Sequence, residues 1–358
     1  MNNRPPYASF DSPAKFTAIQ SIIAKRLTEH PKAVCSYSGG SDSDIMLHLI
    51  ETTRELFNLP PVEYEFFNTG LEMEATKRHV RDVEAKYGIT IKEIRPKRSI
   101  VTICKQYGIP FISKRMSQGL FEWQDKKIPF SVVDEFKSAK DKEAKRNELG
   151  KRYKNCQKGI DFLCCCDRYG NEHESQSFIC SRKYLLDFIK KCPPDFKISA
   201  DCCYYCKKQP AHHNQKRFEL IITGERFAEG GARSLNDLGC FSETGDNKFR
   251  LRPIYYVTDA DKRWYKETYN IRYSDAYEVY GLKRTGCCGC PISHTAVEDL
   301  ELIGKYEPNL KKAAWSVFGK SYEYRRKYNE YKAMRREEEK NIKGQMNIFD
   351  ILEGKQHE

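Results

Sequence analysis

The spacing of apolar residues along the chain separates candidate helices from candidate strands. Over residues 13–27 and 73–87, apolar side chains recur at the spacing of one helix face. Residues 62–67, 89–94 and 218–222 instead form short apolar or alternating runs, which predict strands. Because the predicted strands alternate with predicted helices, the pattern indicates an α/β fold with a doubly wound, mostly parallel sheet. In such a sheet, ligands bind beyond the carboxyl ends of the strands.

The regularity of this pattern changes along the chain and divides it into five segments. Residues 1–112 and 194–295 carry the alternation of strands and helices, and we expect them to form the two halves of one nucleotide-binding domain. Residues 113–193 are rich in lysine and cysteine and lack the alternation, which predicts an inserted subdomain. Residues 296–340 are predicted to be helical, and residues 341–358 to end the helix and continue as a flexible tail.

Two further stretches lead to more specific expectations. The run of Lys, Arg and Glu over residues 136–158 predicts an exposed helix, either a solvated face or a nucleic-acid contact. Residues 250–257 predict an edge strand or another extended segment.

The stretch Ser38–Ser43, Ser-Gly-Gly-Ser-Asp-Ser, lies between a predicted strand and a predicted helix. A strand, a glycine turn and a helix N-terminus direct several backbone N–H groups and the positive end of the helix dipole at one place, which favours phosphate binding. Gly39 and Gly40 permit close backbone approach, and Asp42 can cap the helix or help to hold a cation. The stretch lacks the lysine of the common P-loop, and the simpler alternative is a serine-rich turn with an ordinary helix cap.

Composition limits the classes of protein to which the chain can belong. Its 358 residues include 39% hydrophobic and 31% charged residues, and the mean hydropathy is −0.73. No apolar run approaches the length of a membrane span and residues 1–6 lack a signal-peptide core, so we expect a cytoplasmic protein without a membrane partner. The net charge of +12 favours polyanionic partners such as nucleotides, DNA or RNA. In a reducing compartment the 15 cysteines are better explained by metal or cluster ligation than by disulfides.

Five motifs, in this order along the chain, resemble those of the phosphoadenosine-phosphosulfate (PAPS) and adenosine-phosphosulfate (APS) reductase family of ATP pyrophosphatases. Ser38–Ser43 is similar to the pyrophosphate loop S-G-G-x-D-S, and residues 68–76 to the D-T-G stretch. Residues 222–226 with Arg233, residues 251–261 and residues 280–287 resemble the later motifs. The resemblance implies an adenine-nucleotide α-hydrolase-like fold, binding of ATP and Mg²⁺, and catalytic roles for Asp42, Ser43 and Arg226. The implied nucleotide-binding residues are Ser38, Gly39, Gly40, Ser41, Asp42, Ser43, Asn68, Thr69, Gly70, Glu72, Thr223, Gly224, Arg226 and Arg233.

The cysteines extend this resemblance to the cluster-bearing members of the family. Residues 201–210 resemble C-C-x-x-x-K-x-x-P, and residues 287–290 supply a C-x-x-C. Four thiolates from two segments are a standard ligand set for a [4Fe–4S] cluster, although zinc suits the same spacing on chemistry alone. The expected ligands are Cys202, Cys203, Cys287 and Cys290, with Cys206 and Cys288 as neighbouring thiols.

Two departures from the family pattern affect the expected reaction. The family's reductases carry a nucleophilic cysteine in a C-terminal tail, whereas this chain has no cysteine after Cys290. Asn68 stands where the family usually has Asp, which removes a negative charge from the expected pocket.

The resemblance to superfamily members that keep a cluster and lack the reductase tail implies ATP-dependent nucleotidyl activation coupled to sulfur transfer in nucleic-acid modification, as in DNA phosphorothioation or RNA thiolation. One alternative is a PAPS or APS reductase that uses Cys206, Cys288 or a partner thiol in place of the tail cysteine. Another is a non-catalytic module that binds nucleotides or nucleic acid. The stretch Gln345–Phe349 resembles the Q-L-x-L-F peptide with which bacterial proteins bind the sliding clamp, and the alternative is that the tail packs on its own domain.

Overall fold

The computed structural model describes residues 4–171, 176–230, 239–245 and 247–352, and within these ranges it omits the side chains of residues 176–183 and 342–352. The chain divides into two compact units. The first comprises Met1–Thr102, Cys203–Gly289 and Glu298–Ala314. The second comprises Ile103–Cys202, Cys290–Val297 and Trp315–Glu358. Arg233 lies outside the described residues.

A six-stranded sheet forms the centre of the first unit, with the strand order β3-β2-β1-β4-β6-β5. All neighbouring strands pair in parallel except β5 and β6, which are antiparallel. The strands are β1 (Ala33–Ser36), β2 (Glu63–Phe67), β3 (Ile91–Ile94), β4 (Leu220–Thr223), β5 (Phe241–Gly245) and β6 (Lys248–Leu251). This confirms the predicted α/β class with a doubly wound, mostly parallel sheet.

The direction of winding reverses between β1 and β4. The chain runs outward from β1 through β2 to β3, and then returns to place β4 on the other side of β1. Ser36 of β1 lies in register with Thr223 of β4, so both strands end at the same level. An open α/β sheet binds its ligand beyond the carboxyl ends of the strands at such a reversal. The topology therefore identifies the segments after Ser36 and Thr223 as the expected ligand site.

Helices account for most of the remaining described residues. Several begin at the side-chain caps that the local sequence favours, as where Asp11 accepts a hydrogen bond from the amide of Ala14 at 3.0 Å. The helices are α1 (Ser12–Glu29), α2 (Ser41–Phe57), α3 (Glu74–Tyr87), α4 (Ile100–Tyr107), α5 (Lys114–Lys126), α6 (Val132–Ser138), α7 (Lys142–Arg152), α8 (Gln157–Cys164), α9 (Gln176–Lys191), α10 (Gln209–Gln215), α11 (Asp259–Thr268), α12 (Asp275–Glu278), α13 (Ala296–Tyr306) and α14 (Pro308–Leu352). Among the described residues, none of these helices has both the length and the apolar character needed to cross a membrane.

Each unit has its own hydrophobic core. In the first unit the apolar faces of α1 and α2 are buried with the sheet, and these residues include Phe16, Ile19, Ile23, Leu27, Ile45, Met46, Leu49 and Ile50. In the second unit the helices from α5 to α9 bury a separate cluster, to which Tyr324 and Tyr328 of α14 contribute. Burial of these apolar surfaces is the main stabilising contribution to each unit.

Three elements differ from the expectations. Residues 136–158 do not form one exposed helix, because α6 ends at Ser138, Asp141 caps α7, and Phe136 and Leu149 are fully buried. Residues 250–257 do not form an edge strand: β6 ends at Leu251 and pairs with β4 on one side and β5 on the other. The polar strand β5, which the sequence did not predict, is the edge of the sheet.

Helix α14 also continues through Leu352, where the sequence predicted a flexible tail from residue 341. The helix includes Gln345–Phe349, whose side chains lie outside the described ones. Clamp binding by this stretch stays a prediction.

Candidate functional site

The loop Ser38–Ser43 joins the carboxyl end of β1 to the N-terminus of α2. Gly39 adopts φ +65°, and a Cβ atom there would lie 2.7 Å from Cγ2 of Thr76. A Cβ atom on Gly40 would lie 2.9 Å from Oγ1 of Thr285. Both positions therefore require glycine for steric reasons, and Gly39 also for its backbone conformation.

The hydroxyl of Ser43 holds this loop together. Its Oγ accepts a hydrogen bond from the amide of Gly40 at 3.0 Å and donates one to the carbonyl of Gly40 at 2.7 Å. It also lies 3.1 Å from Oγ of Ser38. Ser43 thus has a structural role that the sequence did not predict, because its hydroxyl shapes the turn that presents the backbone amides.

Asp42 lies in the first turn of α2 but makes no capping hydrogen bond. Its Oδ1 lies 2.9 Å from Nε of Arg226 and 2.6 Å from Nζ of Lys262. Of the two expected roles of Asp42, capping is wrong because the hydroxyl of Ser43 takes that position. The carboxylate instead binds two cationic side chains, which fixes their positions beside the loop.

Arg226 follows β4 and is 5% exposed. Its Nε forms an ion pair with Asp42, and other nitrogens of the guanidinium donate to the carbonyl of Val257 at 3.1 Å and to Oδ1 of Asp259 at 2.8 Å. A planar guanidinium bound on three sides is held in one orientation. Arg226 lines the cavity beside the loop, but much of its donor capacity is used by the protein itself, and its nucleotide contact stays a prediction.

A cavity of about 380 Å³ opens above the loop, at the carboxyl ends of β1 and β4. Three cationic side chains that the sequence analysis did not single out line it: Lys262 of α11, and Lys283 and Arg284 from the segment before the last cysteine motif. Nζ of Lys262 donates to Oγ of Ser41 at 2.6 Å, whereas the side chains of Lys283 and Arg284 are exposed. The lining residues are Ser36, Ser38, Gly40, Ser41, Asp42, Ser43, Gly224, Glu225, Arg226, Glu229, Lys262, Tyr277, Lys283, Arg284 and Thr285.

The loop after β2, residues 68–72, does not line this cavity. Asn68 accepts a hydrogen bond from the amide of Gly70 at 2.9 Å and donates one to Glu93 at 3.1 Å. Thr69 donates to Oε1 of Glu72 at 3.0 Å. The structure therefore separates these four predicted nucleotide contacts from Ser38–Ser43. Thr223, a fifth predicted contact, ends β4 without lining the cavity.

The loop 68–72 lies instead against cysteines of the first unit. Sγ of Cys287 is 3.3 Å from Oγ1 of Thr69, and the amide of Cys288 donates to the carbonyl of Leu71 at 2.7 Å. Nζ of Lys207 lies 3.3 Å from Oε1 of Glu72. Lys207 belongs to a π-helical turn, Tyr204–Lys208, and such turns occur frequently at functional sites.

Four thiols of the first unit, Cys203, Cys206, Cys287 and Cys288, form a group in which each affects at least one other electrostatically. Burial, and then the charges of Cys287 and Cys203, raise the pKa of Cys206 to about 12. Burial, followed by the charges of Glu307 and Cys287, also raises the pKa of Cys288 to about 12. Both Cys206 and Cys288 are therefore protonated at neutral pH in this structure, which disfavours them as nucleophiles.

The four predicted cluster ligands are divided between the two units. Cys203 and Cys287 belong to the first unit, and Cys202 and Cys290 to the second. Within the described residues, no group of three or more His, Cys, Asp and Glu side chains converges as the ligands of a single metal ion would.

Two solved structures are similar to this chain at low sequence identity. A PAPS reductase from Candida auris, solved as a phosphate complex, is 16% identical, with 75% of this chain and 87% of that chain covered at a TM-score of 0.39. The U34-tRNA thiolase NcsA from Methanococcus maripaludis, solved with its [4Fe-4S] cluster, is 12% identical, with 89% of this chain and 80% of that chain covered at a TM-score of 0.32.

Two sequence comparisons cover shorter parts of the chain. An uncharacterized protein of Methanocaldococcus jannaschii is 40% identical over 75 residues, which are 21% of this chain and 15% of that protein. The alignment thus spans less than a fifth of the length of this curated relative. Residues 32–121, which contain the elements from β1 to α4, match the family model of the phosphoadenosine phosphosulfate reductase domain, and the resemblance predicted from the motifs is confirmed over that segment.

Proposed function

We propose that the chain binds ATP in the cavity above Ser38–Ser43 and catalyses nucleotidyl activation of an acceptor. The observation that carries this proposal is the position of the cavity, where the winding of the sheet reverses and where the N-terminus of α2 and several cationic side chains meet. Backbone amides, a helix dipole and cationic side chains are the groups that bind phosphates in proteins. The lining is therefore suited to a triphosphate.

In the proposed reaction the acceptor attacks the α-phosphorus of ATP, the bond from that phosphorus to the β-phosphate oxygen breaks, and pyrophosphate leaves. The amides of Ser38–Ser43 and the side chains of Lys262, Lys283 and Arg284 stabilise the negative charge that moves onto the leaving group. Asp42, with Glu225 and Glu229 on the same lining, offers the oxygen ligands that Mg²⁺ prefers. Mg²⁺ bound with ATP would neutralise phosphate charge.

We further propose that the activated acceptor is nucleic acid, and that a sulfide-level sulfur donor then attacks the adenylated position and displaces AMP, as in DNA phosphorothioation or RNA thiolation. The net charge of +12 and the exposed Lys283 and Arg284 beside the cavity favour a polyanionic acceptor. The burial of Cys206 and Cys288, which are 1% and 2% exposed, argues against sulfonucleotide reduction by either thiol.

A [4Fe–4S] cluster is the proposed cofactor, held by the cysteines that the sequence predicts, and zinc is the second choice. A zinc ion needs four ligands converging on one point, whereas a cuboidal cluster offers separate iron atoms to separate thiolates. Cys203 and Cys287 both raise the pKa of Cys206, so these two proposed ligands lie near one thiol of the first unit. When bound, the cluster would supply an iron site for sulfur. The proposed ligands are Cys202, Cys203, Cys287 and Cys290.

The reaction is tested by incubating anaerobically purified protein with ATP, PAPS and APS in turn, with and without DNA and RNA. Release of pyrophosphate from ATP supports nucleotidyl activation, and its stimulation by one nucleic acid identifies the acceptor class. Release of sulfite from PAPS or APS would instead establish a reductase. If neither product forms although ATP binds, the chain is a binding module and the proposed reaction is wrong.

The cofactor is tested by metal analysis of the same preparation. About four iron and four inorganic sulfide per chain are expected, and Cys287→Ser should lower both. Cys35→Ser is the matched control, because Cys35 is fully buried within β1 and in the core of the first unit. If the preparation contains one zinc per chain and no iron, the cluster proposal is wrong and the cysteines form a zinc site. The proposal that ATP binds above Ser38–Ser43 would not be affected.

A further inference from the structure

A second cavity of about 320 Å³ lies in the first unit. It shares no lining residue with the cavity above Ser38–Ser43, which we call the nucleotide cavity. It is formed by α2, by α3 and by the segment from Ile271 to Asp275. The lining residues are Asp44, Leu47, Ala75, Arg78, His79, Asp82, Val83, Lys86, Tyr87, Ile271, Arg272, Tyr273 and Asp275. Of the predicted motifs, only residues 68–76 reach this cavity, through Ala75, and the proposed reaction does not use it.

Asp44 is 5% exposed and lines the cavity. The two oxygen atoms of its carboxylate differ in their hydrogen-bond partners. Oδ1 accepts a hydrogen bond from the hydroxyl of Tyr37 at 2.5 Å and lies 2.9 Å from Nε2 of His79. Oδ2 is buried and has no hydrogen-bond partner. Buried carboxylate oxygens without a partner are rare in folded proteins, so Oδ2 calls for a donor from outside the chain.

The hydroxyl of Tyr273 is a second buried polar atom of this lining without a hydrogen-bond partner. A hydroxyl can donate, whereas the oxygen of Asp44 can only accept. The rings of Tyr87 and Tyr273 and the side chains of Leu47 and Val83 supply flat and apolar surface. The cavity therefore offers one acceptor and one donor within a largely apolar, partly aromatic lining.

The charged residues of the lining balance one another. Asp275 lies 3.6 Å from Arg78 and 3.1 Å from Arg272, and Lys86 and Asp82 carry opposite charges. Burial lowers the pKa of His79, but the hydrogen bond and charge of Asp44 outweigh it and raise the pKa above the usual value. In all, the lining carries three carboxylates and three Lys or Arg side chains, which suits a neutral ligand.

We propose that this cavity is a second ligand site, which takes a neutral planar heterocycle carrying an amino group. The amino group donates to Oδ2 of Asp44, and a ring nitrogen accepts from the hydroxyl of Tyr273. The site is independent of the proposed reaction with ATP, since its residues are not part of that cavity.

The test compares two probes of nearly equal shape, 2-aminopyrimidine and 2-methylpyrimidine, by ligand-observed NMR with the full chain. The amino probe should bind at least fivefold more tightly than the methyl probe, because only the former can donate to Asp44. Equal affinities for the two probes would overturn the proposal and leave a solvent-filled cavity.

Three variants locate the binding. Asp44→Asn retains an oxygen for Tyr37 and His79 but replaces the unpaired oxygen with a donor, so it should abolish the preference for the amino probe while ATP affinity stays within twofold. Tyr273→Phe should weaken both probes and keep the preference. Lys283→Met, in the other cavity, should leave both probes unaffected. A preference that survives Asp44→Asn, or one that Lys283→Met removes, would refute the assignment.

Discussion

Lys262 provides the most direct test of the nucleotide site, because its side chain lines the cavity and one substitution removes only its charge. Nζ lies 2.6 Å from Oδ1 of Asp42 and 2.6 Å from Oγ of Ser41, and the side chain is 18% exposed. Two contacts hold the ammonium group beside the loop before any nucleotide binds. Lys262→Met keeps the apolar stem and removes the charge.

The expected loss follows from one charge-assisted contact to phosphate. Such a hydrogen bond contributes about 1.5–3 kcal/mol. Since about 1.4 kcal/mol corresponds to a tenfold change in affinity, Lys262→Met should weaken ATP binding about 10- to 150-fold. Isothermal titration calorimetry with Mg²⁺ and ATP measures the change directly.

Lys266→Met is the matched control for this prediction. Lys266 lies one turn further along α11, pairs with Glu278 at 2.7 Å, and does not line the nucleotide cavity. Its substitution should leave ATP affinity within twofold of the wild type. If Lys262→Met also stays within twofold, phosphate does not bind at this cavity and the proposed nucleotide site is wrong.

Three other perturbations test the first unit. Ser43→Ala should lower the free energy of unfolding by about 1–3 kcal/mol in urea titrations, because the amide of Gly40 loses its partner; unchanged stability would contradict the structural role of this hydroxyl. The pKa of His79 is higher in the folded protein than in the unfolded chain, where it is about 6.5. The stability that this shift contributes is therefore fully present below about pH 6.5 and is lost as the pH rises through the pKa of the folded state. Urea titrations from pH 6 to 8 should show this decrease in the free energy of unfolding, and the decrease should be smaller in Asp44→Asn. An equal decrease in the variant would show that Asp44 does not stabilise charged His79. Glu307→Gln should destabilise the unit by about 1 kcal/mol, since Glu307 accepts hydrogen bonds from two amides at the start of α3, and an unaltered midpoint of thermal unfolding would count against it.

The sequence predicted the part of the proposed nucleotide site that one continuous stretch of residues forms. Ser38–Ser43 was recognisable because a strand, two glycines and a helix occur in succession, and the structure shows that sequence of elements. Lys283 and Arg284 lie within the motif of residues 280–287 but were not assigned to the site, and Lys262 was missed because nothing local distinguishes a lysine that lines a cavity from one that faces solvent. Only the tertiary fold brings them to the loop, from segments more than 200 residues away.

The edge of the sheet was missed for a different reason. Strand β5 is short, largely polar and partly exposed, so its residues lack the apolar alternation that marked β1 to β4. Its partner β6 was therefore assigned to the edge. In α14 the spacing of Tyr324, Tyr328 and Tyr331 does mark an apolar face at helical period, and that face packs in the core of the second unit.

The segment 283–288 joins residues of the proposed nucleotide site to a predicted cluster cysteine. Lys283, Arg284 and Thr285 line the nucleotide cavity, while Cys287 contacts Thr69. Only Gly286 lies between Thr285, which lines the cavity, and Cys287, whose thiol lies 3.3 Å from Thr69. The loop 68–72 lies on the cysteine side of this segment. The proposed nucleotide would therefore bind within a few residues of backbone from a proposed cluster ligand, inside the first unit.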